Sequence, residues 1–186
     1  MNIESITLFL HIAGSFGLFL ALGLEWVGLR QIRKAMNPEQ VRGWMGIQKS
    51  VQKVGFASML TTVVTGITMT LMEWGGAAWI LVTMASLFLV IGLSAALTGP
   101  QMKELGRALV AGKGSLSTAF RSAANQPLLW ISIQTRIAIV LGIVFLKTAK
   151  PGIVGSLLTL GAAIILGVAS ALPLPRREQA QEGSTD

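Results

Sequence analysis

Apolar residues occur in five long runs separated by shorter polar segments. The runs cover residues 5–24, 54–72, 77–98, 128–146 and 152–172. A helix crosses the hydrocarbon core of a bilayer in about 20 residues, because each residue rises about 1.5 Å. An open strand would leave backbone amides unpaired in lipid. We therefore predict an all-α integral membrane bundle of five transmembrane helices.

The connections between the runs alternate in length and charge. Segments 25–53 and 99–127 are long and basic, whereas 73–76 and 147–151 are short. The short turns predict that spans two and three, and spans four and five, pack as antiparallel hairpins, with span one added separately. Basic loops stay in the cytoplasm, so we expect the N-terminus outside and the C-terminus cytoplasmic. Residues 1–175 form one transmembrane domain, and 176–186 are expected to be a disordered polar tail.

Local signals place two further helices at the basic side. Asn37 and Pro38 have the order of an N-cap and a first helical residue, which predicts a helix that starts at Pro38 and continues into span two. Residues 104–110 have a helical pattern and precede a stretch rich in Gly and Ser at 112–117. This pattern predicts a short interfacial helix followed by a flexible link.

Small residues recur every fourth position in spans one and five. They are Ala13, Gly17 and Ala21 in the first strip and Ala163, Gly167 and Ala171 in the second. Such strips allow helix backbones to approach closely. Packing within the chain is the favoured interpretation, and a homo-oligomer or a membrane partner is the alternative.

The two ionisable residues inside the predicted spans are candidates for function, because each has a desolvation cost that a partner must offset. His11 lies roughly 9 Å inside the outer end of span one. A neutral imidazole bonded to a neighbouring helix is one interpretation. A Cu(I) site is another, because Met69, Met72 and Met84 lie at similar depth and thioethers suit this soft ion. With one histidine, bis-histidine haem requires two copies of the chain.

Arg136 lies roughly 12 Å from the inner end of span four. The guanidinium could bond to Glu25 or to backbone carbonyls, or it could hold an anion, a lipid headgroup or a quinone carbonyl, with Gln134 nearby. Hydroxyls in span two, including Thr61 and Thr65, lie on one helical face with Met72. They could line a polar path, or they could bond to the carbonyls of their own helix.

Composition narrows the classes of function. Of 186 residues, 52% are apolar and 12% are charged, with a mean hydropathy of +0.66 and no cysteine. Disulfide scaffolds and cysteine-ligated metal sites are therefore excluded. The net charge of +7 comes mostly from basic residues beside the membrane, which favours anionic lipid as a partner over nucleic acid. The chain carries no recognisable catalytic motif, so we expect a protein that is not an enzyme.

The segment 10–14, Leu-His-Ile-Ala-Gly, resembles the opening helix of bacterial inner-membrane proteins of the copper-resistance D-like group. Residues 136–151 are also similar to a segment of uncharacterised bacterial membrane proteins. The resemblance implies a bacterial inner-membrane bundle whose histidine faces the interior. Three hypotheses follow: a small ligand bound or passed through a polar interior of His11, Arg136 and the span-two hydroxyls; copper handling; or an accessory subunit of a membrane complex.

Overall fold

The computed structural model describes residues 2–74, 77–112 and 115–172, and every regular element within them is helical. The predicted tail at 176–186 lies outside these residues. The elements in chain order are α1 (Ile3–Lys34), α2 (Pro38–Met69), a π-helical turn (Thr70–Trp74), α3 (Ala78–Leu93), a second π-helical turn (Ser94–Thr98), α4 (Gly99–Ala111), α5 (Thr118–Ala124), α6 (Pro127–Ala149) and α7 (Ile153–Ala171).

Five helical segments within the described ranges are long and apolar enough to cross a membrane, and the fourth of them joins α5 to α6 across a two-residue break. They are Ile3–Lys34, Pro38–Met72, Ala78–Ala111, Thr118–Ala149 and Ile153–Ala171. The all-helical class and the number of spans are thus confirmed. The outward surface carries many large apolar side chains, such as Phe16, Leu71 and Leu158, as expected where lipid rather than water covers a helix.

The predicted helix start at Pro38 is confirmed by its cap. Asn37 Oδ1 accepts the backbone N–H of Gln40 at 2.9 Å, and Gln40 Oε1 accepts that of Met36 at 2.9 Å. These bonds satisfy backbone donors that lack partners within the helix. Since α1 continues to Lys34, the first basic segment is not a long loop but the extension of two packed helices.

The second basic segment also differs from the prediction. We expected a separate interfacial helix at 104–110, but α4 continues from α3 through the second π-helical turn. Pro100 explains the wide turn, because it has no N–H to donate to the preceding turn. There the N–H of Gly99 bonds to the carbonyl of Ser94, five residues back. The short helix α5, capped by Ser117 Oγ on the N–H of Phe120, was not predicted.

The helix neighbours differ from the prediction in two respects: spans two and three are not a packed pair, and span one is not added separately but packs along span two. Helix α6 packs along α7, as the short turn indicates, but the main neighbour of α2 is α1, and α3 packs on α6 and α7. Spans two and three, which were predicted to pack as a hairpin, are therefore separated by a space between α2 and α3. Side chains of α1 and α6 reach this space.

Both small-residue strips are used inside the chain. A methyl group on Gly14 would lie 2.7 Å from Thr62 Oγ1 of α2, and one on Gly167 would collide with the backbone of Thr135 in α6. Ala13 is exposed, so the first strip runs through Gly14, Gly17 and Ala21 rather than through Ala13. Packing within the chain is thus confirmed for the second strip and for Gly17 and Ala21 of the first, whereas the prediction was wrong for Ala13.

The buried apolar residues form two cores. One lies among α1, α3 and α6 and contains Leu22, Val90 and Ile139. The other joins the end of α1 and the start of α2 to α4 and α5, around Leu105 and Phe120. We refer to this second region as the basic end and to the opposite end, where α1 begins and α6 finishes, as the His11 end.

Candidate functional site

A cavity of about 350 Å³ opens at the His11 end, between α1, α2, α3 and α6. Most of its wall is apolar and includes Phe19, Met69, Trp79, Met84 and Ile143. The polar groups in the wall are His11, Ser15, Thr62, Thr70, Thr83, Lys147 and Thr148. An apolar cavity with a few polar groups is the usual form of a site for a small molecule.

His11 and Lys147 form the polar centre of this cavity. Lys147 Nζ lies 2.5 Å from His11 Nε2, and His11 Nδ1 lies 3.0 Å from Thr65 Oγ1. An ammonium group can only donate, so Nε2 is the acceptor and the imidazole carries its proton on Nδ1. Thr65 accepts this proton's hydrogen bond and donates its own to the carbonyl of Thr61 at 2.6 Å. The chain of donors thus runs in one direction from Lys147 to α2.

Gly66 allows the imidazole to lie against α2. A Cβ atom at this position would lie 3.2 Å from His11 Cε1 and 3.6 Å from Nδ1. A side chain there would push the ring away from Thr65. Gly66 belongs to the wall of the cavity, and neither its role nor that of Lys147 was apparent from the sequence, because their positions are far from His11 along the chain.

Two donors in the wall of the cavity have hydrogen-bonding capacity that no described residue uses. Lys147 has three N–H groups and gives one to His11, and it forms no ion pair with a carboxylate in the described part of the chain. Thr83 Oγ1 is buried and has no hydrogen-bond partner among the described residues. A bound molecule with an anionic or carbonyl head would accept a hydrogen bond from Lys147, and a rotation of the Thr83 side chain would turn its hydroxyl toward the cavity.

Arg136 lies elsewhere and forms an ion pair with Glu25. Its two terminal nitrogens contact the two carboxylate oxygens at 3.0 Å and 2.6 Å, and both residues are buried. A further bond of 3.1 Å runs to Thr98 Oγ1, which lies 2.9 Å from Ser132 Oγ. This is the Glu25 alternative of the sequence analysis, and the paired geometry is that of a bidentate salt bridge.

The structure does not bring His11 and Arg136 together. Eleven residues of α6 separate Arg136 from Lys147, which is about 16 Å along the helix axis. Buried apolar side chains occupy the level between them on three helices; they are Leu18 and Leu22 of α1, Leu87 and Val90 of α3, and Ile139, Val140 and Ile143 of α6. The cavity therefore ends on an apolar layer instead of continuing to Arg136.

The other predicted ligand residues have separate positions. Gln134 lies near Trp130 at the basic end. Thr61 donates to the carbonyl of Ala57 at 2.9 Å, and Thr68 donates to that of Val64 at 3.0 Å. The hydroxyl stripe thus bonds to its own helix, which was one of the two interpretations. Thr65 is the member of the stripe that contacts His11.

The predicted copper ligands are brought together only in part. Met69 and Met84 line the cavity with His11, whereas Met72 is 49% exposed and does not line it. Within the described ranges there is no group of three or more His, Cys, Asp or Glu residues that could hold a metal ion. Both imidazole nitrogens of His11 are already in contact with other side chains.

Known proteins were compared with the chain at three levels. No family model, curated protein or solved structure matches it. The function is therefore inferred from the geometry of the cavity, and above all from Lys147 beside His11 in an apolar wall.

Proposed function

We propose that this chain is a multi-pass protein of a bacterial inner membrane that binds a small amphipathic molecule in the cavity at the His11 end. The observation that carries the proposal is Lys147, a cation without a carboxylate partner in the described residues, in a mostly apolar cavity of about 350 Å³. An apolar body with a carboxylate or carbonyl head complements this wall.

Binding is favoured over passage through the bundle. The apolar layer of Leu18, Leu87 and Val140 lies between the cavity and the Arg136 pair. A polar ligand would have to cross this layer without hydrogen-bond partners, which is costly in a dry interior. The protein is proposed to act without chemistry of its own, as a binding protein.

The distribution of charge supports an orientation. Arg30, Arg33, Lys34 and Arg121 all lie at the basic end, and the positive-inside rule assigns that end to the cytoplasm. The cavity would then open on the outer side of the membrane, with the N-terminus outside. Anionic lipid is the proposed partner of the basic end.

Binding of decanoate, decanol and decylamine to the purified protein in nanodiscs tests the proposal. The three probes share one apolar chain and differ in the charge of the head. We expect decanoate to bind most tightly, because its carboxylate can pair with Lys147, and we expect Lys147→Met to weaken it by about tenfold. Lys103→Met, an exposed change at the basic end, is the matched control. Equal binding of the three probes, or no effect of Lys147→Met, would refute the proposal.

Copper handling is the second candidate, because Met69 and Met84 line the same cavity as His11. The ammonium group of Lys147 at 2.5 Å from His11 Nε2 disfavours a second cation there. Metal analysis under reducing conditions separates the two candidates. Copper that is retained by the wild type and lost in both His11→Ala and Met84→Leu would favour this function. Protein free of copper would reject it.

A further inference from the structure

A second pocket of about 520 Å³ lies at the basic end, between α1, α6 and α7. Three cationic side chains of the last two turns of α1 line it, namely Arg30, Arg33 and Lys34. The described lining contains no Asp or Glu, and the carboxylate of Glu25 is already paired with Arg136. The positive charge of this pocket is thus not neutralised by the described residues.

Aromatic rings hold two of these cations in place. The guanidinium of Arg30 lies 4.5 Å from the centre of the Trp26 ring, and that of Arg33 lies 5.5 Å from the centre of the Trp130 ring. Stacking of this kind orients the planar donor fork of arginine and reduces the entropy lost on binding. Both rings also line the pocket.

Trp130 in the wall of the pocket carries a further N–H group. Trp130 Nε1 is buried and has no hydrogen-bond partner among the residues that the structure describes. An indole N–H can only donate. Three cations without a carboxylate in the described lining therefore favour an anion that presents several acceptor oxygens, and the N–H of Trp130 adds a donor beside them.

We propose that this pocket binds a phosphate-bearing anion. A phosphate group has several acceptor oxygens and matches the fork of arginine. The pocket lies beside two tryptophans, which favour the headgroup level of a bilayer, so the source is either the headgroup of an anionic phospholipid or free phosphate. This inference rests on the proposal that anionic lipid is the partner of the basic end, but it does not depend on ligand binding in the His11 cavity, which lies at the other end of the bundle.

The test measures lipids retained by the full-length protein in native mass spectrometry, after titration with phosphatidylglycerol or phosphatidylcholine. The double variant Arg30→Gln/Arg33→Gln removes two charges from the pocket. The matched control, Lys49→Gln/Lys53→Gln, removes two charges from exposed positions of α2 outside the pocket. We expect the wild type and the control to retain phosphatidylglycerol preferentially, and the pocket variant to bind it about tenfold more weakly.

The variant Trp130→Phe tests the pocket without a change of charge. It keeps an aromatic ring for Arg33 and removes only the N–H, so we expect about threefold weaker binding of phosphatidylglycerol. Titration of delipidated protein with inorganic phosphate identifies the source. If the protein binds phosphate saturably and Arg30→Gln/Arg33→Gln abolishes this binding, the ligand is free phosphate. If the protein retains phosphatidylglycerol but does not bind phosphate, the ligand is the lipid headgroup. An equal loss in both double variants, or no loss in either, would overturn the inference.

Discussion

Lys147 and His11 are the two residues whose contact defines the polar centre of the cavity. In the sequence, Lys147 opens the short polar segment 147–151 directly after the apolar run 128–146, a position that indicates only the end of span four. The structure places it in the wall of the cavity, 2.5 Å from His11 Nε2. Linear spacing could not indicate this contact, since the two residues are 136 positions apart.

Thr83 allows a prediction about the ligand head. Its side chain lines the cavity and its hydroxyl has no partner in the described chain, whereas the hydroxyl of Thr148 in the same wall donates to the carbonyl of Val144. Thr83→Val should weaken decanoate binding by about threefold, while Thr148→Val should leave it unchanged. Equilibrium binding in nanodiscs measures both. If the two variants behave alike, Thr83 does not contact the ligand.

The Arg136–Glu25 pair allows a prediction about stability. Replacement of one partner leaves the other as a buried unpaired charge, which costs about 3–5 kcal/mol. Arg136→Met should therefore destabilise the protein strongly, and Glu25→Gln/Arg136→Met should recover a large part of the loss. Thermal unfolding in neutral detergent gives the comparison. A double variant as unstable as Arg136→Met would show that the pair is not the source of the cost.

The pairing of Arg136 was partly within reach of the sequence. Glu25 is among the predicted partners, but it follows directly on the apolar run 5–24, which predicts a position at the membrane boundary. The helix continues for nine residues beyond Glu25 and buries this side chain at the level of Arg136. The end of an apolar run therefore located neither the end of the helix nor the depth of the charge.

Close backbone contacts set the geometry at the scale of helices. Gly167 of α7 lies so near the backbone of Thr135 that a methyl group has no room, whereas a methyl group on Gly161 of the same helix meets nothing within 4 Å. The four-residue spacing of small residues indicates such a strip in both α1 and α7. In α1, however, Gly14 rather than Ala13 contacts the neighbouring helix, because the contact depends on the rotation of α1 about its axis.

This difference gives a matched pair of substitutions. Gly167→Ala should separate α6 from α7 and destabilise the protein by about 1–3 kcal/mol, because backbone atoms cannot move aside as a flexible side chain can. Gly161→Ala should be neutral or stabilising, by up to about 1 kcal/mol, since alanine favours the helix. Thermal unfolding of the two variants decides the point. A destabilising Gly161→Ala combined with a neutral Gly167→Ala would contradict this packing.

The whole molecule has two polar ends separated by an apolar layer. Hydropathy predicts five spans because each apolar run is long enough to identify a membrane-spanning helix without information about its neighbours. It did not predict that the pair of spans two and three would open, since this depends on how α3 packs on α6 and α7. The cavity results from that packing arrangement, so the sequence of a single helix does not predict it.

The orientation of the protein in the membrane can be tested by labelling of single introduced cysteines. The sequence contains no cysteine, so a single introduced thiol reports its own side of the membrane. Lys49→Cys and Lys103→Cys at the basic end should be protected from a membrane-impermeant maleimide in intact cells, and Thr148→Cys at the His11 end should be labelled. The positive-inside rule is the basis of this expectation. Labelling of Lys49→Cys without labelling of Thr148→Cys would invert the orientation.

The most direct measurement of the central claim is anomalous diffraction from crystals of the protein grown with ω-bromodecanoate. The account predicts that bromine lies inside the cavity among apolar side chains such as Phe19 and Met84, with the carboxylate density beside Lys147 Nζ. Bromine found only on the lipid-facing surface, with the cavity free of ligand density at saturating concentration, would contradict it.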